Sequence, residues 1–327
     1  MSKKVDKKLM HKYAKELCNW GKWGDNDELG TLNYITQKTV LEATKSVKKG
    51  KVFSLAINFD EKGPQTGYLG RVNPLRYMVK DGTDFLVQEN IGEEDMIAFA
   101  DDVVMLPTHG VTHWDALSHV FYIDEDENGV KKPVMWNNYS IENVDSSGAK
   151  KCGIENTRDK LVSRGVLLDI PRYKGVKYLE NGQGITIDDL EGCAEKFNIK
   201  IKQGDIILVR TGQLGRVLEN GEWGDYAGGD APGLEFETLK WIYEKKIATI
   251  ASDTWGVEVR PNRSDVYYQP WHQIIIPIIG MIHGELFYLE ELAKDCAQDN
   301  KYEFLLVSGT MPLTNGVGSP INPQAIK

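Results

Sequence analysis

The sequence predicts an α/β fold built around a sheet with buried strands. From about residue 164, segments with the pattern of strands alternate with segments with the pattern of helices, which is typical of such sheets. The first of these strands, residues 165–170, is almost wholly apolar, as expected of a strand buried on both faces. The 327 residues contain no internal repeat and no linker-like stretch, so we expect a single domain over residues 1–327.

Residues 1–50 are predicted to form a helical extension at the N-terminus of this domain. Residues 7–19 and 38–48 have the pattern of short helices, and Gly50 ends the second. The loop between them carries Trp20 and Trp23, whose rings either pack within the fold or cover the mouth of a pocket; packing is the favoured interpretation. Residues 51–58 alternate in the manner of a strand.

The alternating part of the chain continues in a regular order. The strand at 165–170 is followed by a helix with Thr186 as its N-cap and acidic residues in its first turns. The later predicted elements are a strand at 205–211, a helix at 234–246, a strand at 248–252, a helix at 289–299 and a strand at 303–308.

The composition is that of a globular protein with an acidic balance. Lys and Arg number 39 against 48 Asp and Glu, which gives a net charge of −9 and disfavours nucleic acid or an anionic membrane as a partner. The longest apolar run, residues 274–282, is interrupted by Pro277 and Gly280 and is far shorter than the ~20 residues that cross a bilayer.

The N-terminus and the cysteines indicate a cytoplasmic protein. The charged N-terminal residues lack the apolar core of a signal peptide. The cysteines are widely spaced, with neither a zinc-knuckle nor a disulfide pattern, so we expect them to be reduced: Cys18, Cys152, Cys193 and Cys296.

Three of the six histidines lie within eleven residues, in the segment His109-Gly-Val-Thr-His113-Trp-Asp115-Ala-Leu-Ser-His119. Neutral imidazoles and ionised carboxylates are the donors that a Zn²⁺ or Mn²⁺ site needs. The alternative is a set of packed or solvated histidines around a turn. The density of these residues favours a metal site, and the lack of cysteines among them excludes a structural thiolate site.

A single regular element cannot bring these side chains together. On one strand they would span about 33 Å at about 3.3 Å per residue, and on one helix Asp115 and His119 would point away from His109 and His113. We therefore expect a loop that enters a helix at Thr112, with Asp115 in the acidic position of a capping box. Asp115 and His119 would then be i, i+4 neighbours.

A second group of candidate ligands lies downstream, around an apolar run. His272 and Glu285 are predicted ligands, because they recur together with the first cluster. For His283 two interpretations stay open: a ligand, or a residue that supports the ligands or contacts the substrate. Asp115 and Glu285 would neutralise a divalent cation. A remaining histidine would act as general base, for which His119 is favoured because it would share a helix face with Asp115.

This ligand set is compatible with Zn²⁺ or Mn²⁺ and with one ion or two, because mixed nitrogen and oxygen donors suit both metals. A metal-bound water has its pKa lowered to about 7, which makes hydroxide available near neutral pH.

Three further positions admit a functional and a structural interpretation. Arg210 either binds a substrate carboxylate or pairs with Asp169 on a neighbouring strand, and the ion pair is favoured. Asp253 follows the strand at 248–252, where it either supports the site or holds a turn. The Glu290–Glu291 pair is expected to be the solvated start of a helix.

At these motifs the chain resembles the metal-dependent cyclase-like hydrolases, a family that includes bacterial kynurenine formamidases, isatin hydrolase and a trans-dienelactone hydrolase. The hallmark of that family reads His-x-Gly-Thr-His-x-Asp-x-Pro-x-His, and the segment from His109 to His119 keeps its four metal and base positions. Other similar positions are residues 204–212, His272, Glu285 and, as in longer members, residues 23–30 and 316–323.

The resemblance implies a three-layer β/β/α domain of the swivelling type with a mixed sheet, assembled as a homodimer or homotetramer. His109, His113 and Asp115 would hold the metal, with His119 as the proton shuttle. His272 and Glu285 would complete that site or bridge to a second ion. The implied reaction is attack of metal-bound hydroxide on an amide, formamide or lactone carbonyl of a small molecule. The alternatives are a lyase or cyclase reaction at the same site, and a member that binds metal without catalysis.

The chain departs from the hallmark at three positions. Val111 and Leu117 stand where the motif has glycine and proline, and Trp114 is bulkier than the usual aliphatic residue. From Val111 and Leu117 we expect the pocket wall beside the metal to differ from that of the formamidases, and the departures together disfavour formyl-kynurenine as the substrate.

Overall fold

The computed structural model describes residues 4–87, 97–125 and 129–327. Its helices are α1 Lys7–Glu16, α2 Gln37–Thr44, α3 Asp84–Val87, α4 Ile170–Lys174, α5 Ile187–Lys196, α6 Gln213–Asn220, α7 Thr238–Lys245, α8 His272–Ile274 and α9 Glu290–Asp299. Its strands are β1 Val52–Ser54, β2 Leu75–Lys80, β3 Asp101–Met105, β4 His113–Asp115, β5 Tyr122–Glu125, β6 Lys131–Val134, β7 Val144–Asp145, β8 Gly148–Ala149, β9 Val162–Asp169, β10 Gly184–Ile185, β11 Ile206–Arg210, β12 Gly233–Leu234, β13 Thr249–Ser252, β14 His283–Glu285, β15 Glu303–Val307, β16 Gly318–Pro320 and β17 Gln324–Ile326. A π-helical turn, Ile275–Ile279, follows α8 directly.

One mixed sheet dominates the part of the chain that the structure describes. Its nine strands follow the order β1–β17–β15–β9–β11–β13–β14–β4–β16. The four strands from β9 to β14 run parallel to one another, and the strands that extend the sheet on either side pair antiparallel. Helices α2 and α5 pack against β9. The predicted α/β class with a mixed sheet is therefore confirmed.

The alternating elements predicted from residue 164 onward are present with small shifts of their ends. The apolar strand is β9, which ends at Asp169, where α4 begins. Thr186 caps α5 and forms a capping box with Asp189, so the predicted N-cap is confirmed. The next predicted helix begins later than expected, at Thr238, because residues 233–234 pair with β10 as strand β12.

Residues 4–50 pack against the rest of the described chain. Leu32 is fully buried in the main hydrophobic core. The indole of Trp20 donates a hydrogen bond of 2.6 Å to the carbonyl of Pro277, and the ring of Trp23 lies 6.1 Å from that of Trp136. Both tryptophans therefore pack within the fold, as the favoured interpretation predicted. The limits of the domain and of its N-terminal extension stay predictions.

Strands β2 and β3 form a separate two-stranded sheet in which every residue is exposed. Leu75 lies opposite Met105 and Tyr77 opposite Val103, so one face of this ribbon is apolar. An exposed apolar face of this kind is typical of an interaction surface. The homo-oligomer implied by the resemblance stays a prediction.

The cysteines form no disulfide bond, as the sequence predicts. All four cysteines are free, and burial raises the pKa of the thiols of Cys152, Cys193 and Cys296.

None of the helices in the described residues combines the length and the apolar character that a membrane span requires.

A substitution at Gly30 tests how closely the N-terminal segment meets the core. Gly30 has φ +55°, and a Cβ there would lie 1.9 Å from the carbonyl oxygen of Gly280. We expect Gly30→Ala to lower the free energy of unfolding by about 2–5 kcal/mol. Strain of the left-handed backbone contributes about 1–2 kcal/mol and overpacking about 1–3 kcal/mol. Urea unfolding followed by circular dichroism measures the loss.

Gly50→Ala is the matched control, since Gly50 also has a positive φ (+68°) but has no atom within 4 Å of its Cβ position. Only the backbone strain of about 1–2 kcal/mol applies there. Equal losses in the two variants would contradict the close contact between Gly30 and Gly280.

Candidate metal centre

Two adjacent strands of the large sheet, β4 and β14, carry four of the candidate side chains. His113 and Asp115 share one face of β4, and His283 and Glu285 share one face of β14, because side chains alternate along a strand. The strands pair antiparallel with Glu285 opposite His113. This pairing brings the four side chains together on the same face of the sheet.

Tight turns on both sides of β4 bring in two more histidines. Before the strand, the N–H of Gly110 donates to the carbonyl of Pro107 at 3.0 Å. After the strand, the N–H of His119 donates to the carbonyl of Ala116 at 3.1 Å. The chain therefore folds back at both ends of β4. As a result the rings of His109 and His119 stack, with 4.0 Å between their centroids.

The helix expected to begin at Thr112 is wrong, because residues 113–115 form β4. This strand is paired on both sides, with β14 and with β16, and sheet pairing outweighs the local capping-box pattern. The hydroxyl of Thr112 donates to the carbonyl of Leu286 at 2.6 Å and accepts from the N–H of Ile57 at 2.9 Å. Thr112 thus ties three chain segments together instead of capping a helix.

Trp114 lies on the face of β4 opposite to the cluster. Its ring packs edge-on against Phe287, with 5.1 Å between centroids, and its N–H donates to the hydroxyl of Ser308 at 2.8 Å. The bulk of Trp114 therefore lies away from the cluster. The expectation that Val111 and Leu117 change the pocket wall beside the metal stays a prediction. Val111 and Leu117, the other two departures from the hallmark motif, are also fully buried in apolar clusters.

One half of the cluster is centred on one oxygen of Asp115. Asp115 Oδ1 lies 3.4 Å from His109 Nε2 and 3.2 Å from His113 Nε2. Glu285 Oε2 lies 3.4 Å from His113 Nε2. We call these atoms of His109, His113, Asp115 and Glu285 the His109 half of the cluster; the imidazole of His119 adjoins it.

The other half, which we call the His272 half, contains His272, His283 and the second oxygen of each carboxylate. Asp115 Oδ2 lies 3.2 Å from His283 Nε2. Glu285 Oε1 lies 3.2 Å from His272 Nε2 and 3.4 Å from His283 Nε2. The structure thus brings together all five predicted ligands and the predicted base, together with His283, for which the sequence left two interpretations open.

Two of the candidate ligand histidines are oriented by contacts on their other ring nitrogen. His113 Nδ1 lies 2.7 Å from the carbonyl of Val111, and His272 Nδ1 lies 2.5 Å from Glu258 Oε1. When these rings are neutral, such contacts keep the proton on Nδ1 and leave Nε2 as an acceptor, which is the arrangement found in metal-bound histidines.

Sequence analysis missed Glu258, which lies 14 residues before His272 on a stretch outside the regular helices and strands. For His283, whose role the sequence left open, the spacing His-Gly-Glu puts its side chain and that of Glu285 on one face of a strand.

The cluster fits a divalent cation. His109 Nε2, His113 Nε2 and Asp115 Oδ1 are buried, and none of them has a hydrogen-bond partner among the described residues. Buried polar atoms are normally satisfied, so three convergent polar atoms without a hydrogen-bond partner indicate a site for an ion. Imidazole nitrogens and carboxylate oxygens are donors suited to Zn²⁺ and Mn²⁺.

Buried charge strongly affects the protonation of the cluster when no ion is bound. Burial by itself lowers the pKa of His113, but the carboxylates of Asp115 and Glu285 outweigh it and raise that pKa to about 9. In the same way Glu258 and Glu285 raise the pKa of His272 to about 10. Burial raises the pKa of Asp115 and Glu285, but the surrounding imidazoles hold both well below their usual range.

His109 and His119 behave differently. Burial lowers the pKa of both, and the positive charge of Arg71 lowers it further. Arg71 also reaches the carbonyl of His109 with a long hydrogen bond of 3.5 Å. Both imidazoles are therefore neutral near pH 7, as a ligand and a general base require.

The remaining candidate residues have structural roles. Arg210 pairs with Asp169 at 2.8 Å, so the favoured ion pair is confirmed, and it also binds Glu290 at 2.7 Å. The expectation that Glu290 is solvated is therefore wrong, because its carboxylate is occupied by the Arg210 guanidinium. Asp253 accepts hydrogen bonds from Thr211 and Gly212 at 2.7–2.8 Å and holds the turn after β11.

The chain belongs to the Cyclase family, whose model matches residues 53–259. A crystal structure described as a novel cyclase is 37% identical, with 95% of this chain and 100% of that chain covered and a TM-score of 0.83. This likeness over nearly the whole chain confirms the family and the fold predicted from the resemblance.

More distant structures share the fold. Isatin hydrolase A from Labrenzia aggregata is 16% identical, covers 84% of this chain and 93% of its own, and has a TM-score of 0.58. A protein from Bacillus stearothermophilus described as a predicted metal-dependent hydrolase is 16% identical, with coverages of 85% and 98% and a TM-score of 0.51. No curated protein sequence gives a significant match.

Cation binding by the metal-free protein should release protons. His113 and His272, with pKa values of about 9 and 10, hold their protons at pH 7 and must lose them to act as ligands. We expect about two protons to be released per chain at pH 7, and the apparent affinity for Mn²⁺ to rise from about pH 6 to pH 9. Calorimetric titrations in buffers of different ionisation enthalpy measure the release; an affinity independent of pH over this range would contradict it.

Proposed function

We propose that the protein is a metal-dependent hydrolase that acts on the carbonyl of a small-molecule amide, formamide or lactone. The observation that carries this proposal is the buried cluster in which unpartnered imidazole and carboxylate atoms converge. Membership of the Cyclase family supports it, as do structural neighbours that are isatin hydrolases, one of them bound to the product analogue thioisatinate.

The ion would be held by His109, His113 and Asp115, together with His272 and Glu285. When bound, a Zn²⁺ or Mn²⁺ ion supplies Lewis acidity, which lowers the pKa of a coordinated water to about 7 and polarises a carbonyl. The two carboxylates balance the charge of the ion. The neighbours of His113 and His272 keep the Nε2 atoms of these residues directed into the cluster.

His119 is placed to move the proton. Its ring stacks on His109, and a ring nitrogen lies within 4.8 Å of the ligand atoms of His109 and Asp115. It is half-buried while those two residues are buried, so it lies on the more accessible side of the cluster. From there its imidazole can accept a proton from the attacking water and return it to the leaving nitrogen or oxygen.

Metal content and turnover together test the proposed function. The purified protein should contain one or two equivalents of Zn or Mn per chain by elemental analysis. It should hydrolyse at least one member of a panel of formanilides, lactones and isatins, with the open-chain product identified by mass spectrometry. His113→Ala removes a central ligand and should lower both metal content and turnover by more than about 100-fold. A change in a residue that only orients a ligand typically costs ~10–100-fold.

His11→Ala is the control for this variant, because His11 is exposed on α1, away from the cluster, and both properties should stay unchanged. Full metal content and full activity in His113→Ala would overturn the proposal. Metal without turnover of any carbonyl compound would favour a metal-binding member without catalysis, and a ring-closed product would favour the cyclase reaction.

The proposed base makes a separate prediction. His119→Ala should retain the metal, while kcat falls by about 10²–10⁴, the usual contribution of general acid–base catalysis. Elemental analysis and steady-state kinetics on the same preparation measure the two effects. Loss of the metal in this variant would show that His119 is a ligand instead of a base.

A further inference from the structure

Arg71 is a half-buried cation that no carboxylate neutralises. In the part of the chain that the structure describes, the other buried or half-buried arginines each have a compensating neighbour. Three of them form ion pairs with carboxylates, namely Arg164, Arg210 and Arg216. Arg260 stacks its guanidinium on the ring of Tyr268 at 4.1 Å. Among the described residues Arg71 has neither kind of neighbour, and its side chain makes one long hydrogen bond of 3.5 Å to the carbonyl of His109.

Arg71 lies on the accessible side of the metal centre. It bonds to the backbone of His109, and the ring of His109 stacks on that of His119. Burial lowers the pKa of both imidazoles and the positive charge of Arg71 lowers it further, so the guanidinium is close to both rings. His119 is half-buried, as Arg71 is. A small molecule that approaches His119 from solvent therefore also meets the guanidinium.

The loop of residues 65–73 holds Arg71 in this position. The side chain of Asn73 accepts a hydrogen bond from the N–H of Gln65 at 2.7 Å and donates one to the carbonyl of Gln65 at 3.2 Å. The side chain of Gln65 in turn donates to the carbonyl of Gly110 at 2.8 Å. The loop is thus closed by its own ends and fastened to the segment that carries the predicted ligands. Arg71 is therefore preorganised beside the centre.

A structural role does not account for this guanidinium. A guanidinium carries several N–H donors, and one long bond to a carbonyl satisfies at most one of them. A cation beside a site for a divalent ion also opposes the binding of that ion through like-charge repulsion. Such a partly buried charge is costly unless an opposite charge compensates it. A ligand with a negative charge next to His119 supplies that compensation.

A carboxylate is the anion that fits this arrangement. The parallel N–H donors of a guanidinium bind both oxygens of a carboxylate, and such charge-assisted pairs are strong. One unpaired guanidinium balances the single charge of a carboxylate. A phosphate monoester carries a charge of about −1.5 to −2 at pH 7, which is more than Arg71 alone neutralises.

We propose that Arg71 binds a carboxylate of the substrate, so that the substrate is an anionic amide, formamide or lactone with a carboxylate near the carbonyl that is attacked. This inference rests on the proposed function and names the substrate class of the same site. Arg71 is then a specificity-determining residue, and the bond-breaking step stays with the centre and His119. For a formamide, the oxygen of water bonds to the formyl carbon, the C–N bond breaks and the nitrogen takes a proton, which releases formate and an amine. The carboxylate held by Arg71 is unchanged.

A matched series of formamides tests the proposal. Formanilide is neutral, and 2-, 3- and 4-formamidobenzoate carry a carboxylate at increasing distance from the amide. For the metal-loaded wild-type protein we expect kcat/KM of at least one isomer to exceed that of formanilide by about 10–100-fold, the usual contribution of hydrogen bonds to a charged group. Arg71→Gln should remove this preference by raising KM for that isomer, because binding is lost, and should leave formanilide unchanged.

Arg158→Gln is the matched control, since it makes the same change at an exposed arginine. The preference for the benzoate should persist in this variant. Calorimetric titration with the corresponding aminobenzoate, the product, gives a second readout that needs no turnover. Its affinity should fall about 10–100-fold in Arg71→Gln and stay unchanged in Arg158→Gln. Circular dichroism and thermal melting check folding. If Arg71→Gln does not fold, Arg71→Met, which keeps the apolar stem, takes its place with the same expected losses.

Four results would overturn the inference while leaving the proposed hydrolase intact. They are equal kcat/KM for formanilide and all three benzoates in the wild-type protein, a preference that survives in Arg71→Gln, an equal fall in kcat for charged and neutral formamides, and equal affinity of the aminobenzoate for the two proteins. Failure of the proposed function has a different signature. No formamide, lactone or isatin is then turned over, whereas the difference in aminobenzoate affinity between the wild-type protein and Arg71→Gln is still measurable.

Discussion

The charge of two buried carboxylates is the constraint around which the centre is arranged. Asp115 and Glu285 are almost completely excluded from solvent where β4 and β14 meet. Removing an ionised carboxylate from water costs several kcal/mol unless opposite charge or hydrogen bonds compensate it. Five of the six histidines of the chain lie around these two groups, and only His11 lies on the surface. The clustering of imidazoles thus follows from the need to compensate buried negative charge, by protons or by a divalent ion.

The sheet gives this arrangement its rigidity. β4 is only three residues long, but it is paired on both sides, and Trp114 anchors its opposite face against Phe287. Thr112 adds hydrogen bonds to Ile57 and Leu286 just before the strand. Ligands carried by paired strands are held more firmly than ligands carried by free loops. The centre is therefore preorganised by the core before any ion or substrate enters it.

The comparisons separate what is shared from what is particular to this chain. At 37% identity over nearly the whole length, the relationship to a cyclase is close, whereas at 16% identity the isatin hydrolases share the fold. The departures from the hallmark motif, Val111, Trp114 and Leu117, all lie in apolar clusters. These residues therefore contribute to the centre through packing in the core.

Much of the fold could be predicted from the sequence. Apolar runs such as that of β9 and the capping box of Thr186 depend on neighbouring residues, and both are present where they were expected. The residue types of the cluster could be predicted as well, because three histidines and an aspartate lie within eleven residues of the sequence. In each of these cases the information lies within a short segment of the chain.

Tertiary structure decided the conformation of the segment from His109 to His119 and which residues make up the centre. The segment from Thr112 to Asp115 has a local pattern for a helix, yet it forms a strand because β14 and β16, about 170 and 200 residues further along the chain, supply its hydrogen-bond partners. The same pairing places His283 beside Asp115. The chain segment that precedes α8 places Glu258 Oε1 against His272 Nδ1. The sequence by itself determined which chemical groups are available. Long-range strand pairing determined which of them meet, because the free energy of pairing a buried strand on both sides exceeds the small local preference for a helix.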